Sequence, residues 1–344
     1  MVNAMTTKSP IDGRRRQVLA LAGRVAFGAG AAAALGGVGA LARGVDTRSN
    51  ADLSGTVLRV GAYKGGDSYY FNEAGVAATP YRTALAEFSA GNLIVEAISS
   101  GSVDCGSMSE IPPIFAAASG VPLKVIAVLR GDVNNQVVLV PKNSPITDAT
   151  QFKGKRIGYA RSTTSHYFLL QLLKERGLTF KDIQPVALAP QDGLAAFQSG
   201  QLDAWVIYGL VQELAKQQGA RVLKTALGYL SGNYVIGAAV PAIADPARHA
   251  AIGDYLQRMA RVYEWINRHP EQWAAKSGQL AGVSPQLFLN QAKQRSQPYK
   301  LQAVDGAAIA SQQAVADAFA DAGMLARRID VSPVWDRSFR HYLS

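Results

Sequence analysis

The chain has 344 residues, with 35 Lys and Arg against 25 Asp and Glu for a formal charge of +10, and is 48% hydrophobic and 17% charged. That balance excludes a disordered polyelectrolyte and supplies a sizeable core, which the length divides into about two domains. A single cysteine, Cys105, excludes an intrachain disulfide framework, and His166, His249, His269 and His341 show no metal-ligand spacing.

In chain order, the first segment is the charge outlier. Residues 1–50 hold seven basic and two acidic side chains, half of the net charge. A basic cluster (Arg14, Arg15, Arg16) precedes an Ala/Gly-rich stretch over 18–41, and Ala40-Leu41-Ala42 follows. This is the order of a secretory signal peptide, with cleavage expected near Ala42 and a periplasmic product. Arg15-Arg16-Gln17-Val18-Leu19 resembles a twin-arginine export signal. The alternative is an uncleaved anchor, but the stretch carries Arg24 and six glycines and is short of large apolar side chains. Residues 43–55 read as a flexible segment. Beyond Thr56 no comparable apolar run recurs.

The next segments repeat. Ser100-Gly101-Ser102-Val103-Asp104 matches Ser199-Gly200-Gln201-Leu202-Asp203 at an offset of 99, and Leu58-Arg59-Val60-Gly61 matches Lys155-Arg156-Ile157-Gly158 at 97. Each copy predicts a strand (57–62; 156–159), a polar loop (64–68; 161–165), a helix, and a second strand (83–88; 184–188). A short helix ending in Ser-Gly comes next, then a strand entered at the Asp, a helix ending at Gly, and a last strand (123–129; 221–225). This alternation predicts an α/β fold of two related lobes, each an open mixed sheet flanked by helices. Extended segments at 135–141 and 233–241 predict two hinge crossings. After 242 the pattern turns helical: Ile252, Tyr255, Met259, Val262, Tyr263 and Ile266 keep three- and four-residue spacing until His269-Pro270 interrupts them. The expected organisation is a signal peptide over 1–42, lobe 1 from 56–135 and 238–344, and lobe 2 from 136–237.

Three blocks carry a family resemblance: Gly106-Ser107-Met108-Ser109-Glu110-Ile111-Pro112-Pro113, Ala160-Arg161-Ser162-Thr163-Thr164-Ser165-His166, and Phe197-Gln198-Ser199-Gly200-Gln201-Leu202-Asp203-Ala204-Trp205. With Pro145-Ile146 and Phe152-Lys153-Gly154-Lys155, they make the chain similar to the aliphatic-sulfonate-binding proteins of ABC importers. The wider nitrate-, sulfonate- and taurine-type periplasmic receptors share the layout. The resemblance spans about 57–331. It implies a type II periplasmic-binding-protein fold and an inter-lobe cleft for an alkyl- or aryl-sulfonate. It further implies an inner-membrane ABC permease as partner, a monomer, and a place in sulfur metabolism. Family members often continue Asp-Ala-Trp towards Trp-Asp-Pro-Tyr; here the run is Val206-Ile207-Tyr208-Gly209-Leu210, which leaves the carbon part of the ligand open.

A sulfonate is an anion rich in acceptors, and amides at a helix N-terminus serve it without a formal charge. Ser162, Thr163, Thr164, Ser165 and His166 sit at such a strand-to-helix junction, where they read either as an anion cradle or as ordinary caps. Lys64, Gly65, Gly66 and Ser68 hold the matching place in the first copy, with Lys64 either a long-range attractor or simply solvated. Ser107 and Ser109 add donors. Glu110 would repel an anion, so it either meets a ligand hydroxyl or amine or caps the helix. Tyr69, Trp205 and Tyr208 are candidate aromatic walls for the carbon portion, with lobe core the other reading of Trp205. Asp203 and Asp104 are expected to tie strand ends by backbone hydrogen bonds.

A desulfinase-like enzyme using Cys105 is the alternative of a different class. The expectation is no enzyme, since Cys105 follows Asp104 in a buried strand and no Gly-x-Ser-x-Gly elbow frames a serine. No cofactor, metal or nucleic-acid partner is expected: there is no P-loop, no dinucleotide fingerprint and no basic stripe with interleaved aromatics.

Overall fold

The structure is a computed structural model that describes residues 52–63 and 65–343. The expected signal peptide, residues 43–51 and Lys64 lie outside the described residues. The first run of elements is β1 (Val57–Tyr63), β2 (Arg82–Phe88), α1 (Gly91–Ser99), β3 (Cys105–Ser109), α2 (Pro112–Ala118) and β4 (Leu123–Arg130). Residues 131–135 lead to β5 (Gln136–Val140), β6 (Arg156–Tyr159), α3 (Thr164–Glu175), β7 (Gln184–Ala187), α4 (Pro190–Gln198), β8 (Ala204–Tyr208), α5 (Leu210–Gln217) and β9 (Arg221–Thr225). Residues 226–232 return the chain to β10 (Asn233–Ala239), α6 (Val240–Ala244), α7 (Pro246–Arg268), α8 (Pro270–Ala281), α9 (Pro285–Gln294), β11 (Lys300–Gln302) and α10 (Gly306–Asp321).

Two mixed sheets result, ordered β11-β4-β10-β3-β1-β2 and β7-β6-β8-β5-β9. In each lobe the strand that follows a crossing runs antiparallel to both neighbours: β10 between β3 and β4, β5 between β8 and β9. These two strands are covered on both faces, and all five residues of β5 are buried, so they read as continuous apolar runs. The segments expected to be the hinge are therefore central strands, and the links are the shorter stretches before them. Residues 233–237 accordingly pair within the first sheet.

The repeated Ser-Gly-x-apolar-Asp block has a local structural basis. Gly101 and Gly200 take φ of +74° and +73°, which side chains other than glycine rarely adopt. Each ends its helix with a six-to-one bond, Ser102 N–H to Ala97 O at 2.8 Å and Gln201 N–H to Ala196 O at 2.9 Å. The aspartate then clasps the first strand of its lobe. Asp104 accepts the Arg59 amide at 2.9 Å and Asp203 accepts the Arg156 amide at 2.8 Å. Both carboxylates also take the guanidinium of that same arginine through two nitrogens. The clasp fixes the start of β1 and β6, so it fixes where their far ends emerge.

The copies differ after their first strand. The second has the twelve-residue α3, but the first makes only a 3₁₀ turn, Asp67–Tyr70, where a helix was expected. Its aromatic residues are drawn instead onto the C-terminal helices: Tyr70 stacks on Trp265 and bonds Ser277, and Phe71 meets Tyr255. Those helices follow the apolar periodicity. Ile252, Tyr255, Met259, Val262, Tyr263 and Ile266 are all buried on α7, each such side chain adding about 1.5–3 kcal/mol of transfer free energy. His269-Pro270 ends α7 and starts α8, where proline at the first position loses no hydrogen bond.

Candidate functional site

The carboxyl ends of the parallel strands in both lobes face one cleft of about 600 Å³. Four helices bring amide-bearing N-termini to it, through Gly91 of α1, Thr164 of α3, Gln191 of α4 and Leu210 of α5, while α2 presents Pro112, which has no N–H. First-turn amides have no partner within their own helix, and the summed peptide dipoles place partial positive charge there. No lysine or arginine is among the described lining residues, and Glu87 is the one charged side chain. Among the described lining residues, positive potential therefore comes from backbone rather than from formal charge.

Four of the sequence-predicted residues line it: Ser109, Thr163, Thr164 and Tyr208. The Thr163 hydroxyl donates to Ala160 O at 2.8 Å, and Ser165 Oγ accepts the Ala160 amide at 2.9 Å, so these two hydroxyls shape the loop. The N-terminal turn of α3 is left facing the cavity. Ser162 holds the loop in a left-handed conformation, φ +57°, and its amide donates to His166 Nδ1 at 3.2 Å. His166 lies behind the loop, buried among Tyr159, Phe180 and Phe319, and desolvation lowers its pKa to about 4. Tyr208 comes from the end of β8, and burial pushes its phenol up to about 12. Burial raises Tyr63 as well, so both phenols keep their protons and donate at neutral pH. Tyr63 reaches the start of α1 because residue 91 is glycine; a Cβ there would stand 3.1 Å from the Tyr63 hydroxyl.

Other predicted residues sit elsewhere. Gly65 and Gly66 form the turn after β1, with the Gly66 amide on Tyr63 O at 2.8 Å. Ser68 bonds the Tyr255 hydroxyl at 2.6 Å, and Tyr69 donates to Glu87 at 2.5 Å. Ser107 is mid-strand in β3, opposite Ile236 of β10. Glu110 is 5% exposed and accepts from Ser231 at 2.6 Å, Ser311 at 3.1 Å and Asn233 at 3.3 Å, and burial raises its pKa. Trp205 is 1% exposed, in the core of the second lobe, flanked by Gly158 and Gly193 whose Cβ atoms would stand 2.8 Å from its ring. Cys105 is fully buried in β3, and desolvation raises its thiol well above the ordinary range.

The cavity also includes residues that sequence reasoning did not single out. Phe88 and Ser89 at the end of β2 and Pro190 and Gln191 after β7 follow from the rule that open α/β sheets bind at their carboxyl ends. Asn135, Gln136 and Tyr234 had no such signal, because they belong to the end of a link and to the strands that follow the crossings. Among the described residues no cluster of His, Cys, Asp or Glu suits a metal, and no helix is long and apolar enough to cross a membrane.

Comparison with known proteins places the chain among relatives. The profile described as NMT1/THI5 like matches residues 59–272. An Escherichia coli (strain K12) protein named for aliphatic sulfonate binding is 33% identical over 71% of this chain and 76% of its own length. The alkanesulfonate-binding protein SsuA of Xanthomonas axonopodis pv. citri, solved bound to MOPS, superposes with a TM-score of 0.76 at 28% identity, covering 82% of this chain and 98% of that one. The periplasmic aliphatic sulphonate binding protein SsuA of Escherichia coli gives 0.70 at 30% identity, covering 82% and 92%.

Proposed function

This chain belongs to the NMT1/THI5-like family, and we propose that it is the periplasmic receptor of an ABC importer, capturing an organosulfonate between its lobes. The observation that carries the reading is the convergence of four amide-bearing helix N-termini on a cleft with no basic side chain among its described lining residues. Such a site suits a tetrahedral, singly charged oxyanion with many acceptors. Phe88, Tyr63 and Tyr208 offer apolar area for its carbon portion. Closure of the lobes about the links at 131–135 and 226–232 would bury the ligand and present one closed form to the permease. The basic, Ala/Gly-rich first segment supports export by the twin-arginine route with cleavage near Ala42; N-terminal sequencing of the protein from a periplasmic extract tests this.

Thermal unfolding of the purified mature protein checks the ligand. A sulfonate binding only the folded state should raise Tm, by about 2.7 kcal/mol of stabilisation at a hundredfold excess over Kd. Absence of a shift with alkane- and arylsulfonates alike would remove the reading. The desulfinase alternative needs an accessible thiolate, whereas Cys105 is buried and its thiol held protonated. Cys105→Ala should therefore leave sulfonate binding within about twofold; release of sulfite by the unaltered protein, lost in that variant, would instead establish the enzyme.

A further inference from the structure

We propose that the receptor reads the length of its ligand's carbon tail, favouring long tails over short ones, and that Leu214 of α5 and Val283 of the turn between α8 and α9 are the residues that read it. The inference rests on the sulfonate reading above and deepens it. Two rows of apolar side chains run along α5, each with i,i+4 spacing. Val211 and Ala215 are buried and pack in the core of the second lobe. Leu210 and Leu214 form the neighbouring row. Leu210 and Leu214 are half-buried and line the cleft, and among the described residues neither belongs to a hydrophobic cluster of either lobe. The fold leaves this row unused, and the cleft is what it borders. Leu214 stands about 6 Å along the helix axis from Leu210, so a tail of about four carbons or more, leaving a sulfonate held at the helix start, reaches it.

The first lobe supplies the facing wall. α8 ends at Gly282, in the left-handed region at φ +69°, and the Val283 amide closes a six-to-one bond on Gly278 O at 2.9 Å. An apolar residue at the position of Val283 ordinarily packs back on the last turn of its own helix. Here that turn offers only Gly278, where a Cβ would stand 2.8 Å from Val283 O, and Ser277, whose hydroxyl is taken by Tyr70. Val283 is instead half-buried on the cleft wall and, like Leu214, belongs to none of the clusters among the described residues. Lys276 donates to Tyr69 O at 2.8 Å, so the end of α8 is held against the first lobe. With one such side chain on each lobe, closure brings both onto the same tail, whereas a short sulfonate leaves them facing water. A cavity of about 600 Å³ has room for that tail.

Calorimetric titration of the purified mature protein with ethane-1-sulfonate and hexane-1-sulfonate tests this. A methylene taken fully out of water is worth about fourfold in affinity, so the longer compound should bind at least about thirtyfold tighter even with its tail partly exposed. Leu214→Ser and Val283→Ser should each lower that ratio by about threefold or more. Both side chains lie outside the lobe cores, and a folding defect common to the two ligands cancels in the ratio. Val222→Ser makes the same kind of change at a 40% exposed site on β9 that does not line the cleft, and should leave the ratio unmoved. A ratio below thirtyfold in the unaltered protein overturns the proposal and leaves the sulfonate reading standing. A drop of less than threefold in either variant, or an equal drop in Val222→Ser, overturns the assignment to that residue. Failure of every sulfonate to bind overturns both readings.

Discussion

His166 follows the Ser/Thr run that forms part of the cleft, yet its ring lies in the seam between α3 and α10, 5.1 Å from Phe319. Its Nδ1 accepts the Ser162 amide, which requires the unprotonated nitrogen, and burial lowers the pKa from 6.5 to about 4. The unfolded chain binds the proton below about 6.5 and the native state only below about 4. Stability is therefore lost as pH falls through that window, by at most about 3 kcal/mol. Urea unfolding of the protein and of His166→Phe at pH 7 and pH 4.5 isolates this residue, because other titrations cancel in the difference. The unaltered protein should lose about 2–3 kcal/mol more than the variant; parallel losses would show that His166 does not carry the proton linkage. Gly209 is the second residue of interest at this scale. It caps α5 at φ +71° and ψ −153°, a region open in practice only to glycine, and a Cβ there would meet nothing within 4 Å. Gly209→Ala should cost about 1–3 kcal/mol through the backbone alone and displace the α5 N-terminus from the cleft, read as lower Tm together with weaker sulfonate binding.

At the scale of elements, the Arg–Asp clasps separate what is local from what is tertiary. Their aspartates were legible as strand-end ties because each lies in a short block that recurs, whereas the pairing with Arg59 and Arg156 carried no signal of its own. Asp104 and Asp203 do the same bonding with unequal burial, side chains 1% and 30% exposed, and Asp104 also meets Arg248. Removing the buried acceptor leaves the Arg59 amide without its partner while the 39% exposed guanidinium turns to solvent, so Asp104→Ala should cost about 1–3 kcal/mol. Asp203→Ala should cost only about 1 kcal/mol, as suits a half-exposed pair; chemical denaturation of both variants compares them, and equal losses would refute the burial argument. The site was less legible than the clasps. Ser109, Thr163, Thr164 and Tyr208 stand at strand ends, where a doubly wound sheet always opens. Gln136 and Tyr234 were silent because they begin or follow the start of apolar strands, and only the meeting of two sheets brings them together. Trp205 shows the converse. An aromatic at the start of a strand looks like a ligand wall, but alternation along β8 turns it onto Gly158 and Gly193, within the core.

For the whole molecule, the question is where motion between lobes is absorbed. The two links are stitched to the first lobe and to each other: the Gly131 amide donates to Gly232 O at 2.9 Å, and Gln297 donates to Gly131 O at 2.7 Å. Glu110 is the hub on the other side, holding Ser231 of the returning link and Asn233 at the start of β10 together with Ser311 of α10. Gln312 of α10 also donates to the Glu110 carbonyl at 2.7 Å. With these ends pinned, φ/ψ changes on the proposed closure should fall on the middle of each link, so that the lobes approach along one path. Glu110 does not line the cleft, so its effect on ligand must pass through the fraction of molecules able to close correctly. Glu110→Ala releases the returning link and should weaken sulfonate binding about three- to tenfold, or about 0.7–1.4 kcal/mol. Glu110→Gln removes a charge that burial disfavours while keeping an acceptor for the two serine hydroxyls, so it should stay within about twofold. Titration calorimetry gives the affinities, and small-angle scattering with and without ligand gives the closure, whose ligand-induced decrease in radius of gyration should shrink in Glu110→Ala. A variant that melts early yet binds and closes like the unaltered protein would make Glu110 a stabilising residue with no part in the motion.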